Sequence, residues 1–385
     1  MNVIRIPPVV ATSTAAGLAR GALRRVTPEL RRRVTDQVTR HCDGRVGVLT
    51  DGATSALAHA LRLVTGVNRA VALPGFGCVD LLAAALCAKV AVVTYDVDPA
   101  TLTPDLDSVR RVLNDGVGAL VLAPLYGFPL DVDALRSIAA AAGVPVIEDA
   151  AQAAGGTWRS RRIGTSGDVV VLSFGRGKGM SAGRGGALIS RHADYDTGIH
   201  ELAATLPAAD SGWRDWTLSA AVWAFARPSL YAIPSAIPSL RLGEMVFHEA
   251  HPPRAMADRA VAMLPDALHG ADAAAAARGV IASRLRAAVE DTVGIALPAP
   301  LPDGSGGWLR LPLLDLAGRG AAPVLGIFRS YPLPIRAMPE GRAIMRHPHA
   351  SEPGADQLAR LLLTIPTHRF VTTAVIDGIR RWALP

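Results

Sequence analysis

VPVIEDAAQAAGG, residues 144–156, decides the fold. Val144–Ile147 is apolar without the alternation of a half-exposed strand, and it stops at two carboxylates, Glu148 and Asp149. A short apolar run of this kind reads as a strand covered on both faces. The pattern recurs outward in both directions. Upstream lie GVLT (47–50), Val71–Leu73, VAVVTY (90–95) and GALVLA (118–123); downstream lie VVVLSF (169–174) and ALIS (187–190). Helical patterns at 56–64, 81–88 and 132–142 separate the earlier runs. About seven buried strands alternating with helices predict an α/β fold with a mostly parallel sheet. Ligands of such sheets sit beyond the carboxyl ends of the strands, so the chemistry belongs where Glu148 and Asp149 stand.

The chain has 385 residues, more than one hydrophobic core usually serves, so two lobes are expected. The pattern changes after about Ser211. Trp213, Trp216 and Trp223 fall close together, followed by Phe225, Tyr231 and three prolines. Helical runs at 256–268 and 273–290 follow, then a Pro-rich stretch and a terminal helix near 375–382. The expected division is a large domain over 1–250, with an N-terminal arm, and a smaller α+β domain over 251–385.

Composition excludes several classes. Half the residues are apolar and only 19% are charged, which excludes a disordered chain. A net charge of +7 is too dilute at this length to indicate nucleic acid, and few aromatics offer a stacking platform. Cys42, Cys78 and Cys87 form no CxxC pair, so neither a disulfide framework nor a zinc cluster is indicated. His347, His349 and His368 lack ligand spacing, and no metal is expected. The first residues lack an apolar core behind a basic start, and no run of ~18 uncharged apolar residues occurs, so neither a signal peptide nor a membrane span is read. A reducing, cytoplasmic setting is the simplest expectation.

Three short motifs carry chemistry. Glu148 and Asp149 close a buried strand, where a carboxylate pair is costly unless a cation meets it, although a solvated strand end or a capping acid gives the same local pattern. SFGRGKG (173–179) leaves the next strand for a glycine-rich stretch that ends GRGG (183–186) and places Lys178 at the ligand edge. It is not a Walker loop, because Leu172 and Gly179 occupy the positions of the required glycine and hydroxyl. DGATSAL (51–57) sets Thr54 and Ser55 where a strand gives way to a helix, as a helix cap or a phosphate site would.

The order and spacing of these motifs resemble the DegT-type family of pyridoxal-phosphate sugar aminotransferases, which have the type I aspartate-aminotransferase fold. The resembling passages are residues 51–61, 73–105, 124–156 and 163–190, with a weaker likeness at LTIPTH (363–368). The resemblance implies pyridoxal 5'-phosphate as cofactor, with Lys178 as the residue that forms a Schiff base with it and later moves a proton. It implies that Asp149 pairs with the pyridine nitrogen and that Gln152 lies near the ring. Thr54, Ser55 and Ser173 would hold the phosphate. It further implies a homodimer, an amino-acid donor such as glutamate, and as acceptor a nucleotide-linked keto sugar or related biosynthetic intermediate. Elimination or another reaction at the substrate's α-carbon is the alternative, as is a scaffold that binds the cofactor without turnover.

Several positions depart from the family's pattern. Cys78 stands where an aromatic usually stacks on the ring, with Phe76 two residues before it. Arg184 replaces a glutamate in the glycine-rich stretch. Pro252-Pro253-Arg254 takes the place of Asn-Tyr-Arg, whose asparagine reaches the neighbouring subunit's phosphate. Arg336 replaces a sugar-facing histidine, and could hold a substrate anion or lie at the surface. The aromatic stretch 213–247 suits a buried contact between subunits or lobes better than a peripheral membrane patch.

Overall fold

The computed structural model describes residues 5–66 and 69–384. Along the chain run α1 (Ala15–Leu23), α2 (Pro28–His41), β1 (Val46–Thr50), α3 (Ala53–Thr65), β2 (Ala70–Pro74), α4 (Val79–Ala88) and β3 (Ala91–Tyr95). They are followed by α5 (Leu106–Asn114), β4 (Ala119–Leu122), α6 (Val132–Ala141) and β5 (Val146–Asp149). A short hairpin, β6 (Thr157–Trp158) and β7 (Arg161–Arg162), precedes β8 (Val169–Ser173) and β9 (Gly186–Ser190). Seven of these strands form one sheet in the order β1-β9-β8-β5-β4-β2-β3. They are the seven runs expected from sequence. β9 alone is antiparallel to both its neighbours; β8, β5, β4, β2 and β3 pair in parallel.

The absence of alternation in these strands now has its cause. β2, β4, β8 and β9 are buried at every residue because helices cover both faces of the sheet. Val71, Val121, Ile147, Val169 and Val171 point to the face covered by α3 and α4. Val170 and Leu172 point to the other face, against Leu30, Val34 and Val261. Leu61 in α3 is fully buried, and cutting it to alanine is expected to cost roughly 2–5 kcal/mol.

After α7 (Asp196–Thr205), helices α8 (Trp213–Phe225) and α9 (Pro228–Ser235) lie on the outside of the glycine-rich stretch. Ser219 is the one fully buried residue of α8, and a side chain at Gly183 would lie 2.2 Å from its hydroxyl. The outward side of the pair exposes Leu218, Val222, Phe225, Leu230 and Ile233. Helices α10 (Asp258–His269) and α11 (Ala271–Val289) lead to a second sheet, β10 (Ile295–Ala296), β12 (Arg310–Asp315) and β13 (Leu362–Pro366), all antiparallel. The short strand between them, β11 (Gly304–Ser305), pairs instead with β6. Helices α12 (Pro353–Leu361) and α13 (Thr373–Ala383) complete the chain. Among the described residues no helix is long and apolar enough to cross a membrane.

Candidate active site

The carboxyl ends of β1, β5 and β8 open into one cavity of about 380 Å3. Thr54, Ser55, Asp149, Gln152, Ser173 and Lys178 all line it, so these six candidates meet at one place. Strand geometry explains the convergence. Asp149 and Ser173 continue the registers of Ile147 and Val171, on the face that α3 covers, because alternate side chains share a face.

Asp149 is sunk in this cavity, and its carboxylate accepts one protein hydrogen bond, from the Ala151 N–H at 3.1 Å. Burial is the main cause that pushes its pKa up to about 6; the Ala151 N–H and the positive charge of Lys178 pull the other way. A buried anion so sparsely bonded calls for a cationic donor. Glu148 is the opposite case. It points to the other face, is 1% exposed, and accepts from the backbone N–H groups of Gly164 (2.7 Å), Ser166 (2.8 Å) and Gly167 (2.9 Å). The expected cation is therefore unnecessary at Glu148, because three backbone donors hold it.

Lys178 sits half-buried beyond β8, in a turn where its N–H donates to the Gly175 carbonyl at 3.2 Å. Gly177 takes φ +85°, a left-handed conformation that glycine adopts without strain. The Ser173 hydroxyl accepts from the Gly175 N–H at 3.4 Å. Opposite, α3 starts at Gly52 with no side-chain cap, which leaves its first N–H groups directed at the cavity beside Thr54 and Ser55. Gly186 is needed for this arrangement: a Cβ there would lie 2.5 Å from the Ala53 nitrogen.

Gln152 is fixed at both ends. Its Oε1 accepts from the Tyr126 N–H at 3.1 Å, and its Nε2 donates to the Tyr331 hydroxyl at 3.0 Å. Phe76 does not reach the cavity. It is fully buried, with its ring edge-on to Tyr331 at 5.6 Å between centroids. Cys78 lines the cavity instead, its thiol donating to Asp80 at 3.3 Å and pushed up to about 12, first by burial and then by that carboxylate. Arg336 is also engaged elsewhere. It holds Asp356 bidentately at 2.6 and 2.7 Å and donates to the Ala350 carbonyl at 3.0 Å. Sequence reasoning passed over Asp80, His248, Glu249 and His251, which line the same cavity. None carries a motif, and only tertiary folding brings the 248–251 loop to the ends of the strands.

A profile of the DegT/DnrJ/EryC1/StrS aminotransferase family matches residues 27–208. The dTDP-3-amino-3,4,6-trideoxy-alpha-D-glucose transaminase of Streptomyces venezuelae is 30% identical over 296 residues, covering 74% of this chain and 68% of that protein. The chain belongs to the DegT/DnrJ/EryC1/StrS aminotransferase family. The L-glutamine:2-deoxy-scyllo-inosose aminotransferase of Streptoalloteichus tenebrarius is 35% identical over a shorter span, 36% of this chain and 33% of the relative. The chain thus spans about a third of the length of the first curated relatives it matches. AtS13 from Actinomadura melliaura shares the fold with a TM-score of 0.76 at 20% identity, over 100% of this chain and 99% of that one. S. venezuelae DesV gives a TM-score of 0.73 at 24% identity, over 96% and 93%. These likenesses fix the type I α/β fold. Aminotransferases of this family are pyridoxal-phosphate enzymes. The cavity fits that group: a sparsely bonded buried carboxylate, a lysine and an uncapped helix start share one wall.

Proposed function

We propose that this chain is a pyridoxal-phosphate-dependent aminotransferase that moves an amino group from glutamate or glutamine to a keto sugar or related cyclic ketone. The observation that carries this reading is the pairing of Asp149 with Lys178 across one cavity, next to the start of α3. The inosose and dTDP-sugar enzymes among its relatives support that substrate class.

Bound pyridoxal phosphate supplies an aldehyde and a ring that accepts electrons. The chain's own residues supply the rest. The first N–H groups of α3, with Thr54, Ser55 and Ser173, hold the phosphate. Asp149 would be kept charged by a protonated ring nitrogen, the donor that its burial calls for. Gln152, locked between Tyr126 and Tyr331, would offer a fixed amide beside the ring. Lys178 would tether the cofactor and, once free, would serve as the base that moves the substrate carbon's proton.

We assign the chain to a cytoplasmic homodimer. The exposed apolar side of α8 and α9 supports the dimer as a surface for the second subunit. We place the lobe boundary within α11, later than the 250/251 expected from sequence, because the apolar cluster on the α10 side of the large sheet runs to Ala271 and that of the small sheet takes in Leu285, although Ile335, Met338 and Met345 pack back against the α3–α4 side. Ile6 of the N-terminal arm packs in the small-sheet cluster.

The test is one half-reaction. Purified protein loaded with pyridoxal phosphate is mixed with glutamate or glutamine, and the cofactor's absorbance is followed. Conversion to the pyridoxamine form is expected. A loaded protein that no amino donor converts would leave another α-carbon reaction or a non-catalytic scaffold as the function.

A further inference from the structure

The start of α3 holds an electrostatic conflict. Asp51 precedes the helix and lines the same cavity as Thr54 and Ser55. Its Oδ1 accepts from the Ser55 hydroxyl at 3.1 Å and from the Arg254 N–H at 3.1 Å. A carboxylate there repels a phosphate dianion, and it shares the Ser55 hydroxyl proton with the Gly52 carbonyl at 2.9 Å. The chain answers with Arg184. Its Nε donates to the Asp51 carbonyl at 3.2 Å, and its guanidinium lies 4.0 Å from the Asp51 carboxylate. Asp215 of α8 holds the far side of the same guanidinium at 3.5 Å and reaches Arg176 at 3.6 Å. His251 adds a third neighbour, its Nε2 3.4 Å from Asp51 Oδ2.

Arg184 thus lies beside the carboxylate, is held from two elements, and itself lines the cavity wall. The charges at 51 and 184 offset each other, and removing Arg184 alone leaves the Asp51 carboxylate's negative charge at the phosphate's entrance. We propose that Arg184 is a positioning residue that acts through Asp51: by offsetting the charge of that carboxylate, it keeps the start of α3 attractive to the cofactor's phosphate. The proposal rests on the cofactor reading above.

Dissociation constants for pyridoxal phosphate, from absorbance titration of the apo protein, test it without any turnover. R184Q is expected to weaken binding by about tenfold or more, since exposed charges act over such distances in a partly screened cleft. R184K is expected to stay within about threefold of the parent, because it keeps the charge. Asp51→Asn combined with R184Q is expected to recover most of the loss. Pyridoxal, which lacks the phosphate, is expected to bind R184Q and the parent alike. Unchanged phosphate affinity in R184Q would overturn the proposal. So would a double variant as weak as R184Q, since Arg184 would then touch the phosphate directly. So would equal losses for both ligands, the mark of a merely structural role. If the parent itself bound no pyridoxal phosphate, the cofactor reading would fail with it; a tightly binding parent with an insensitive Arg184 would sink this proposal alone.

Discussion

The two faces of the central sheet treat neighbouring carboxylates in opposite ways. On the face under the 164–167 loop, Glu148 is held by three backbone N–H groups. On the face under α3, Asp149 has one such donor and ionises only near pH 6. One face is finished by the chain itself, and the other is left for a ligand to finish. A satisfied buried acid marks structure, whereas an under-satisfied one in a cavity marks a site.

Removing the ligand's tether should break the comparison most severely. Lys178→Ala is expected to lower half-reaction turnover by about 10^4-fold and to abolish the shift in cofactor absorbance that marks the tether. Circular dichroism should show the fold unchanged.

Next comes Asp149→Asn, expected to cut turnover by roughly 10^2–10^3-fold. Its effect on the apo fold has the opposite sign. A carboxyl that ionises near 6 when folded and near 3.8 when free makes the apo protein less stable as pH rises from about 4 to about 6. Above that window the asparagine variant, which has no charge to bury, is expected to be more stable than the parent by on the order of 3 kcal/mol. Urea melts at pH 4 and pH 7 check this, and equal gains at both would contradict it. Stabilisation by pyridoxal phosphate in the parent should increase as pH rises through 6.

Glu148→Gln tests the other face. Gln offers one uncharged acceptor to three donors, and the expected loss is roughly 3 kcal/mol of stability with the bound-cofactor spectrum unchanged. A spectral change without a stability loss would erase the contrast between the faces. Ser173→Ala should be the mildest, raising the dissociation constant for pyridoxal phosphate about three- to tenfold with little change in melting temperature.

The same contrast explains what could be read in advance. The strands were legible because burial on both faces writes unbroken apolar runs, and the ends of β5 and β8 fix the places of Asp149, Ser173 and, one turn on, Lys178. Glu148 was not legible, because its three donors come from a loop whose path no local pattern dictates. Phe76 could be read either way until Tyr331, from far along the chain, took its edge. Arg336 offered two readings and took neither in full. At 13% side-chain exposure it is neither a free surface group nor part of the cavity wall, because Asp356 of α12 holds its Nη2 through both carboxylate oxygens. The loop carrying His248 and His251 has no periodicity to betray it.

The direction of β9 has one more consequence. Because β9 runs antiparallel to β8, the chain turns back at the ligand edge rather than crossing the sheet, and Lys178 rides in a hairpin loop. The Phe174 N–H bonds to the Gly185 carbonyl across its neck, and Gly186 presses on the first turn of α3. A loop closed this locally gives up little chain entropy when it orders, and it can fray without parting the parallel strands. In hydrogen exchange, the Lys178 loop and the first turn of α3 are therefore expected to open together, as one small cooperative unit, well before the sheet beneath them.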